Sequence, residues 1–331
     1  FSPDDRKLLF VSHANRVEVW DIFTGKLAFD FPYNGRGAIS ISRSNGLLLT
    51  TSVRDISLWD PRTGRLVASK NHRYKSHFEA VISPNGEHVM IMDRECKFLI
   101  WDLFDRNPAR HGPYNEMLSI SRIDETALNK PRSVPRFSCM KLATNNNVIR
   151  MCFPPDSQFL VTGEAKGWMN VWNIWANTSV ANWDNLVGDH DITDVHWSPD
   201  SRYIAASAGD EIGVWSTESH ELVNILECEK ASSVQFSPDS TKLFGLDGDG
   251  NFRVWETETW RVVDEKTSSH YHHQSGIARY SPSGDAVAVC SINSGNDPDD
   301  PVSHRVHYFR CDGFEGLESF TYPSASFGDV S

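Results

Sequence analysis

Residues 234–256 read VQFSPDSTKLFGLDGDGNFRVWE, and this stretch contains each part of a repeated unit. Its first three residues alternate apolar and polar, as in a strand with one buried face. The SPDS motif at 237–240 fits a type I turn, because Pro238 fixes φ at the second position. A second apolar run, the Gly/Asp turn at 247–250 and an alternating run ending at Trp255 then predict a hairpin of two further strands.

The unit occurs seven times along the 331 residues. The position of Pro238 corresponds in the seven copies to Pro3, Arg43, Pro84, Pro155, Pro199, Pro238 and Pro282. The intervals between these positions are 40, 41, 71, 44, 39 and 44 residues. All but one are close to the length of a four-stranded propeller blade. A large aromatic residue ends the third predicted strand of each copy: Trp20, Trp59, Trp101, Trp172, Trp215, Trp255 and Phe309.

Trp-Asp pairs at residues 20–21, 59–60 and 101–102 end three of the copies, in register with the turns that precede them. On these motifs the chain resembles the WD-repeat family over nearly its whole length. The resemblance implies an all-β fold, a seven-bladed β-propeller of four-stranded antiparallel blades around a central channel. It also implies a structural network of His, Ser, Asp and Trp, which this sequence matches in one copy, at His190, Ser207, Asp210 and Trp215.

We expect a single propeller domain over residues 1–331. The predicted blades lie near 1–37, 38–77, 78–148, 149–191, 192–231, 232–274 and 275–328. The 71-residue interval is too short for an additional blade, so we interpret residues 105–136 as a long inserted loop between blades 3 and 4. The chain starts at Phe1, at the end of an inner strand, and we expect it to be part of a longer protein.

Composition excludes several classes of protein. Apolar residues make up 39% of the chain, enough for a large core, but the longest apolar run, Ala286–Cys290, is far too short to cross a bilayer. The 6 cysteines are scattered and form no CxxC pair, which favours an intracellular location, cytoplasmic or nuclear. No nucleophile elbow, Walker loop or HExxH pair is present, so we predict a protein that is not an enzyme and needs no cofactor.

The net charge of −12 is distributed unevenly. Residues 1–165 contain 22 Lys/Arg and 18 Asp/Glu, whereas residues 166–331 contain 10 and 26. Blades 4 to 7 should therefore form an acidic arc, which attracts basic partners or simply maintains solubility. Nucleic acid is not an expected partner, because its binding requires a dominant basic surface.

Two loops of the last predicted blade supply most of the candidate partner-binding residues. One contains His270, Tyr271, His272 and His273, and the other contains Asp297, Asp299 and Asp300. Strand order in the resembled fold places both loops on one face, where they would form a pH-sensitive contact patch or a metal site. We predict no metal, because loop histidines without enforced geometry are usually solvated.

Four single residues complete the set of candidates for partner binding. Trp168 follows a predicted hairpin, where it would either anchor an interface or pack across its own hairpin. The other three are Arg36, Tyr74 and Asp189.

The leading functional hypothesis is a non-catalytic scaffold or adaptor for protein–protein interaction. In its more specific form, the chain is the sensor or regulatory propeller of a larger multidomain protein. One alternative is a propeller that gates or supports a fused enzyme, or that binds a ligand or metal at the His/Asp loops. The other is recognition of basic peptide tails by the acidic arc.

Overall fold

A computed structural model describes most of the repeated units. The described residues are 2, 7–12, 16–21, 24, 26–32, 39–52, 55–71, 77–93, 97–103, 122–123, 136–141, 147–174, 176, 178–184, 189–266, 274–292, 303–311 and 316–323. Within them the chain forms 28 strands in seven antiparallel sheets, and one 3-10 turn at Ala165–Gly167. Six of the sheets have at least four strands, and the architecture is an all-β propeller of small sheets.

The strands are assigned to sheets almost strictly in chain order. The first sheet contains β1 (Lys7–Ser12), β2 (Arg16–Asp21) and β3 (Lys26–Pro32). Blade 2 contains β4 (Ile39–Ile41), β5 (Leu48–Thr51), β6 (Asp55–Asp60) and β7 (Arg65–Asn71), and blade 3 contains β8 (His77–Ile82), β9 (His88–Asp93), β10 (Lys97–Asp102) and β12 (Arg136–Lys141). The intervening strand β11 (Arg122–Ile123) joins blade 2 as a fifth strand.

The remaining blades each contain four consecutive strands. Blade 4 contains β13 (Val148–Cys152), β14 (Phe159–Glu164), β15 (Met169–Asn173) and β16 (Thr178–Trp183), and blade 5 contains β17 (Ile192–Trp197), β18 (Tyr203–Ala208), β19 (Glu211–Ser216) and β20 (Leu222–Glu227). Blade 6 contains β21 (Ser233–Phe236), β22 (Lys242–Leu246), β23 (Phe252–Glu256) and β24 (Val262–Lys266), and blade 7 contains β25 (Gln274–Tyr280), β26 (Ala286–Ile292), β27 (Ser303–Arg310) and β28 (Gly316–Pro323).

The repeat spacing suggested an insertion between blades 3 and 4, but the structure places it within blade 3. β10 pairs with β12, with Trp101 opposite Phe137, so the extra chain interrupts blade 3 between its third and fourth strands. The physical reason is that the fourth strand must pair with the third to complete the sheet, and a long connection between them leaves that ladder intact. Of residues 105–136, only the strand β11 and Arg136 are described.

Separate apolar clusters fill the spaces between neighbouring sheets. Between blades 4 and 5, for example, Val161 and Val171 pack with Trp215, which is fully buried and lies 5.9 Å from Trp183 by ring centroids. Six clusters of this kind contain, or pack against, the anchor residues Trp59, Trp101, Trp172, Trp215, Trp255 and Phe309. Stability is therefore built from contacts between successive blades.

The anchors also share a backbone feature. The pairing of third and fourth strands shifts register immediately before the anchor in six sheets, at Trp20, Trp59, Trp172, Trp215, Trp255 and Phe309. Glycines leave space for two of the indoles, because a Cβ on Gly213 would overlap the ring of Trp215 and one on Gly245 would lie 2.8 Å from Trp255 Cζ3. The repeated aromatic position therefore has the same register in each of these sheets.

The expected network in blade 5 is not formed by the four matching residues. Ser207 Oγ lies 2.9 Å from Thr193 Oγ1, and Asp210 Oδ1 accepts a hydrogen bond from Lys230 N at 2.8 Å. His190 is exposed, and its ring lies against Gly209. Within the described part of the chain, the buried Nε1 of Trp215 has no hydrogen-bond partner.

Strand register explains why Ser207 cannot reach the anchor. Ile204 lies opposite Trp215, so Ala206, two residues farther along β18, lies on the same face as the indole. Successive side chains of a strand point to opposite faces, and Ser207 therefore points away. Alanine at position 206 leaves no acceptor for Trp215 Nε1.

Blade 4 contains the hydrogen-bonded network that blade 5 lacks. Trp172 Nε1 donates to Thr162 Oγ1 at 3.0 Å, and Thr162 lies at the register position of Ala206. The buried Glu164 Oε1 accepts hydrogen bonds from Asn170 Nδ2 at 2.6 Å and from Thr162 Oγ1 at 3.3 Å. The hydroxyl group of Thr162 therefore provides the hydrogen-bond acceptor that the indole N–H of Trp172 requires.

Candidate functional site at the central channel

The first strands of blades 2 to 7 stand next to one another around the axis of the propeller. Charged groups from blades that are not neighbours interact there: Glu79 of blade 3 interacts with Asp194 of blade 5 and Arg279 of blade 7. Arg43, which follows the first strand of blade 2, interacts with Cys152 and Arg279. Groups from blades that are not neighbours can meet only near the axis, so these side chains surround the central channel.

Four charged residues, Glu79, Arg150, Asp194 and Arg279, form what we call the channel cluster. Asp194 is 7% exposed, and its Oδ2 accepts hydrogen bonds from Ser233 Oγ at 2.8 Å and from Arg279 Nη1 at 3.1 Å. The same oxygen accepts the backbone N–H of Val234 at 3.2 Å. Asp194 thus joins blades 5, 6 and 7 through charge-assisted hydrogen bonds.

Backbone bulges place three members of the cluster. The pairing of the first and second strands shifts register just before Glu79, Arg150 and Asp194, and again just before Ile277 in blade 7. An extra residue on one strand re-aims the side chain that follows it, and bulges are common beside functional sites. The same local feature therefore brings charged side chains of three consecutive blades toward the axis.

Glu79 has unusual electrostatics. Its side chain is mostly buried, and Arg150 Nη1 lies 3.8 Å from Glu79 Oε2. Burial raises the pKa of Glu79 to about 7, with a further contribution from the nearby Asp194 carboxylate, while Arg150 opposes the shift. The charge of the channel cluster therefore changes near neutral pH.

A second set of polar side chains links the first strands of neighbouring blades. These side chains lie two residues after the repeat position that Glu79, Arg150 and Asp194 occupy. Ser40 Oγ accepts the backbone N–H of Ile82 at 3.2 Å. In the same way, His196 Nδ1 accepts from Phe236 N at 3.2 Å, and Gln235 Oε1 accepts from Tyr280 N at 2.6 Å. The acceptor role requires an unprotonated Nδ1, and the pKa of His196 is lowered well below its usual value by burial and by the nearby Arg43 and Arg279.

Arg43 and Cys152 lie near this second set. Arg43 is exposed as a residue, but partial desolvation of its guanidinium group lowers its pKa, and Arg279 contributes in the same direction. Burial raises the pKa of the Cys152 thiol to about 11, so the thiol is neutral at physiological pH and is a weak nucleophile. Three guanidinium groups and two carboxyl groups thus surround the channel, an arrangement suited to binding a charged group of a partner.

The described residues contain no cluster of three or more His, Cys, Asp or Glu side chains that would hold a metal ion. The part of the chain with assigned structure also contains no helix that is long and apolar enough to cross a membrane.

Most of the sequence-predicted partner residues lie outside the described residues. These are Arg36, Tyr74, His270, Tyr271, His272, His273, Asp297, Asp299 and Asp300.

Trp168 and Asp189 are the two predicted partner residues that the structure describes. Trp168 is half-buried in the turn of blade 4, and its carbonyl accepts the N–H of Glu164 at 2.8 Å. Asp189 is exposed, and its neighbour Asp191 accepts the N–H of Lys166 through Oδ1 at 3.0 Å. The loop before blade 5 therefore contacts the turn that contains Trp168, and the role of both residues in binding stays a prediction.

Sequence reasoning missed the channel cluster, although a signal was present. Glu79, Arg150 and Asp194 each lie four residues before the first residue of the proline turn in their repeat, which is Ser83, Pro154 or Ser198. Aligning the repeats at this position would have shown charged residues in three consecutive copies. Arg279 lies only two residues before its turn, and no pattern of spacing connects it to Asp194.

A model of the "WD domain, G-beta repeat" family matches residues 137–173 and 185–216. The first match runs from the fourth strand of blade 3 through the third strand of blade 4, and the second covers the first three strands of blade 5. Each match therefore begins before the first strand of a blade and ends at its anchor strand.

Three curated relatives have similar sequences. A WD repeat-containing protein WDS homolog from Arabidopsis thaliana is 27% identical over 65% of this chain and 45% of its own length. UBP9-binding protein bun62 from Schizosaccharomyces pombe is 21% identical over 76% of this chain and 46% of its own. A serine-threonine kinase receptor-associated protein from Dictyostelium discoideum is 21% identical over 78% of each chain.

The chain spans about half the length of the first two relatives. The family resemblance seen in the repeated motifs is confirmed by the matched repeats, by these relatives and by the propeller sheets. On these grounds residues 137–173 and 185–216 are WD repeats, and the chain is similar to WD-repeat proteins over most of its length.

Proposed function

We propose that this chain is a non-catalytic protein-interaction module that binds a charged segment of a partner protein at the channel cluster. The observation that carries the proposal is the convergence of Glu79, Arg150, Asp194 and Arg279 from four blades onto one channel. The side chains of Arg150 and Arg279 are 41% and 44% exposed, so water and a partner reach them.

The remainder of the site favours binding over chemistry. The Cys152 thiol is kept neutral by burial, and His196 Nδ1 is used to accept the Phe236 N–H. Two of the relatives carry names that describe association with other proteins, namely a binding protein and a receptor-associated protein. We therefore assign the module a scaffold or adaptor role inside the cell, in the cytoplasm or the nucleus.

Affinity capture with a matched pair of variants tests this function. The chain would be used as bait in an extract of the cells that express it, alongside Arg150→Gln and Arg202→Gln. Both substitutions remove an exposed arginine that is paired with a carboxylate: Arg150 with Glu79 in the channel, and Arg202 with Asp200 on a proline turn.

The expected result is that proteins retained by the wild type are also retained by Arg202→Gln and are lost from Arg150→Gln. Thermal melts of both variants would establish that each is folded. Equal retention by both folded variants would contradict the assignment of the site to the channel.

A second candidate function is the binding of basic peptide tails by the acidic arc. Exposed carboxylates are concentrated in its described part, including Glu218, Glu221, Glu229 and Glu258. Binding of this kind falls steeply with salt, because exposed charges are screened. A synthetic polylysine peptide that bound the Arg150→Gln variant as tightly as the wild type, and lost affinity with salt, would place such binding on the arc.

We also propose that the first sheet belongs to a closed ring of seven blades. In support, Val17 and Val19 of this sheet pack with Leu48 of blade 2, in the manner of the other contacts between blades. Class averages of the protein by electron microscopy should then show seven spokes, whereas six would contradict the proposal. We further propose that this propeller is the sensor or regulatory domain of a larger multidomain protein.

A further inference from the structure

The outer edge of blade 2 is extended by a segment from elsewhere in the chain. Strand β11 pairs antiparallel with the outer strand β7, with Arg122 opposite Ser69 and Ile123 opposite Ala68. Val67 and Ala68 of β7 are each 1% exposed. This protein therefore already contains one example of an added strand on the outer edge of a blade.

The corresponding edge of blade 5 is apolar and exposed. Val223 of β20 has the same register as Val67 of β7, because each follows the residue opposite its anchor tryptophan. Val223 is nevertheless 43% exposed, compared with 1% for Val67. Leu222 and Ile225 on the same strand are 39% and 42% exposed. Among the described residues, β20 is the last strand of its sheet.

Backbone groups of β20 also face outward. The N–H of Ile225 donates to the side-chain Oδ1 of its neighbour Asn224 at 2.9 Å, so this N–H is directed away from β19. The carbonyl of Glu227, two residues farther along, accepts Arg253 Nη1 at 2.9 Å and has the same outward direction. An added strand would offer Ile225 a backbone carbonyl in place of the Asn224 side chain.

The charges around β20 specify the kind of segment that fits. Glu221 precedes the strand, Glu227 ends it, and both side chains are exposed. The whole second half of the chain has 26 acidic and 10 basic residues. A complementary segment therefore has alternating apolar residues at its centre and Lys or Arg at its ends.

We propose that the outer edge of β20 binds such an extended, basic-ended segment of a partner protein by β-augmentation. This surface lies on the perimeter of the propeller and is separate from the channel cluster, so it would be a second binding site. Exposed apolar edge strands are usually shielded in proteins, and the added segment would shield this one, pairing with it as β11 pairs with β7.

A pair of substitutions at one position tests the proposal. Ile225→Pro removes the outward N–H but leaves the bonds of β20 to β19, which involve the neighbouring residues, and proline is tolerated where an edge N–H faces solvent. Ile225→Thr retains both the N–H and a β-branched side chain. The probe is a fluorescein-labelled peptide of alternating Val and Thr with two Lys at each end, titrated by anisotropy against the whole chain.

We expect the wild type and Ile225→Thr to bind the peptide, and Ile225→Pro to lose roughly tenfold or more in affinity. Hydrogen exchange at the Ile225 amide should slow when peptide is bound to the wild type. Equal binding by Ile225→Pro, with its melting temperature unchanged, would overturn the proposal. So would sedimentation showing a wild-type dimer that Ile225→Pro dissociates, because the occupant of the edge would then be a second copy of this chain. Loss of peptide binding by Arg150→Gln but not by Ile225→Pro would assign the peptide to the channel instead.

Discussion

Two regions of the molecule are built differently: the apolar layers that separate neighbouring blades, and the channel cluster. Between blades, apolar clusters repeat with one anchor in each, and fully buried Trp215 is typical of them. In the channel, the charged groups do not recur in every blade: Glu79, Arg150 and Asp194 share one position beside a bulge in three blades, whereas Arg279 lies at a different position in its repeat. The difference indicates that the repeated apolar layers maintain the fold, whereas the channel cluster is the part to which we assign binding under our proposal.

The largest expected effect is on the apolar layers. Trp215→Ala should lower the free energy of unfolding by roughly 3 to 5 kcal/mol, because it empties a packed space between blades 4 and 5. Urea denaturation followed by circular dichroism would measure the loss. Trp260→Ala, at a partly buried indole outside the anchor positions, is the control and should cost less. A change below about 1 kcal/mol for Trp215→Ala would mean that the anchor layer does not maintain the fold.

The next effect concerns the channel and depends on pH. The pKa of Glu79 is raised in the folded state, so folding favours the protonated form of its carboxyl group. The stability gained from this preference is fully present below the ordinary pKa of 4.5. That contribution is lost as pH rises through about 7. Between about pH 5 and pH 8, the wild type should therefore lose on the order of 2 to 3 kcal/mol relative to Glu79→Gln.

Chemical denaturation of both proteins at several pH values would measure this difference. Glu87→Gln serves as a control on the same blade, and we expect it to retain the pH dependence of the wild type. Parallel pH profiles for wild type and Glu79→Gln would show that Glu79 is not held in a desolvated site.

A smaller effect is expected from the hydrogen-bonded anchor of blade 4. Thr162→Val keeps the shape of the side chain but removes the acceptor for Trp172 Nε1 and a donor to the buried Glu164. The expected loss of stability is about 1 to 3 kcal/mol, the cost of leaving a buried polar group unsatisfied. The exposed Thr178→Val is the matched control. Equal stabilities for the two variants would indicate that this network adds nothing to the apolar layer.

The smallest expected effect is an increase in stability from a substitution in blade 5. Ala206→Ser should place a hydroxyl near the buried Trp215 Nε1, as Thr162 does for Trp172, and raise stability by about 1 kcal/mol. A double-mutant cycle with Trp215→Phe would separate the new hydrogen bond from packing, because the gain should vanish without the indole N–H. A loss of stability in Ala206→Ser would mean that the site is too tightly packed to accept the oxygen.

The sequence predicted the apolar layers well, because each blade repeats the same requirements. The anchors and the proline turns recur at similar intervals, so their alternating pattern identified the strands of a propeller. The expected network around Trp215 was misplaced by one residue, since Ser207 lies beside the required position 206 but on the opposite face. Secondary-structure patterns do not resolve a shift of one residue along a strand, although such a shift moves the side chain to the opposite face of the sheet.

The channel cluster could not be predicted in the same way. Asp194 and Arg279 are 85 residues apart and meet only because the ring brings blades 5 and 7 together at its axis. The raised pKa of Glu79 depends on burial and on Asp194, neither of which is visible in its local sequence. The fold was therefore predictable from local repeats, whereas the site depends on contacts between distant ones.

Site-specific photocrosslinking tests most directly whether the channel binds the partner. A benzophenone amino acid would replace Ile277, which is 54% exposed and lies at the register position of Asp194 without contributing charge. The same group in place of Val180, 44% exposed on the outer strand of blade 4, is the control. We predict that captured partner proteins crosslink from position 277 and not from position 180. Partners that are retained but crosslink only from position 180 would contradict the assignment of the channel as the binding site.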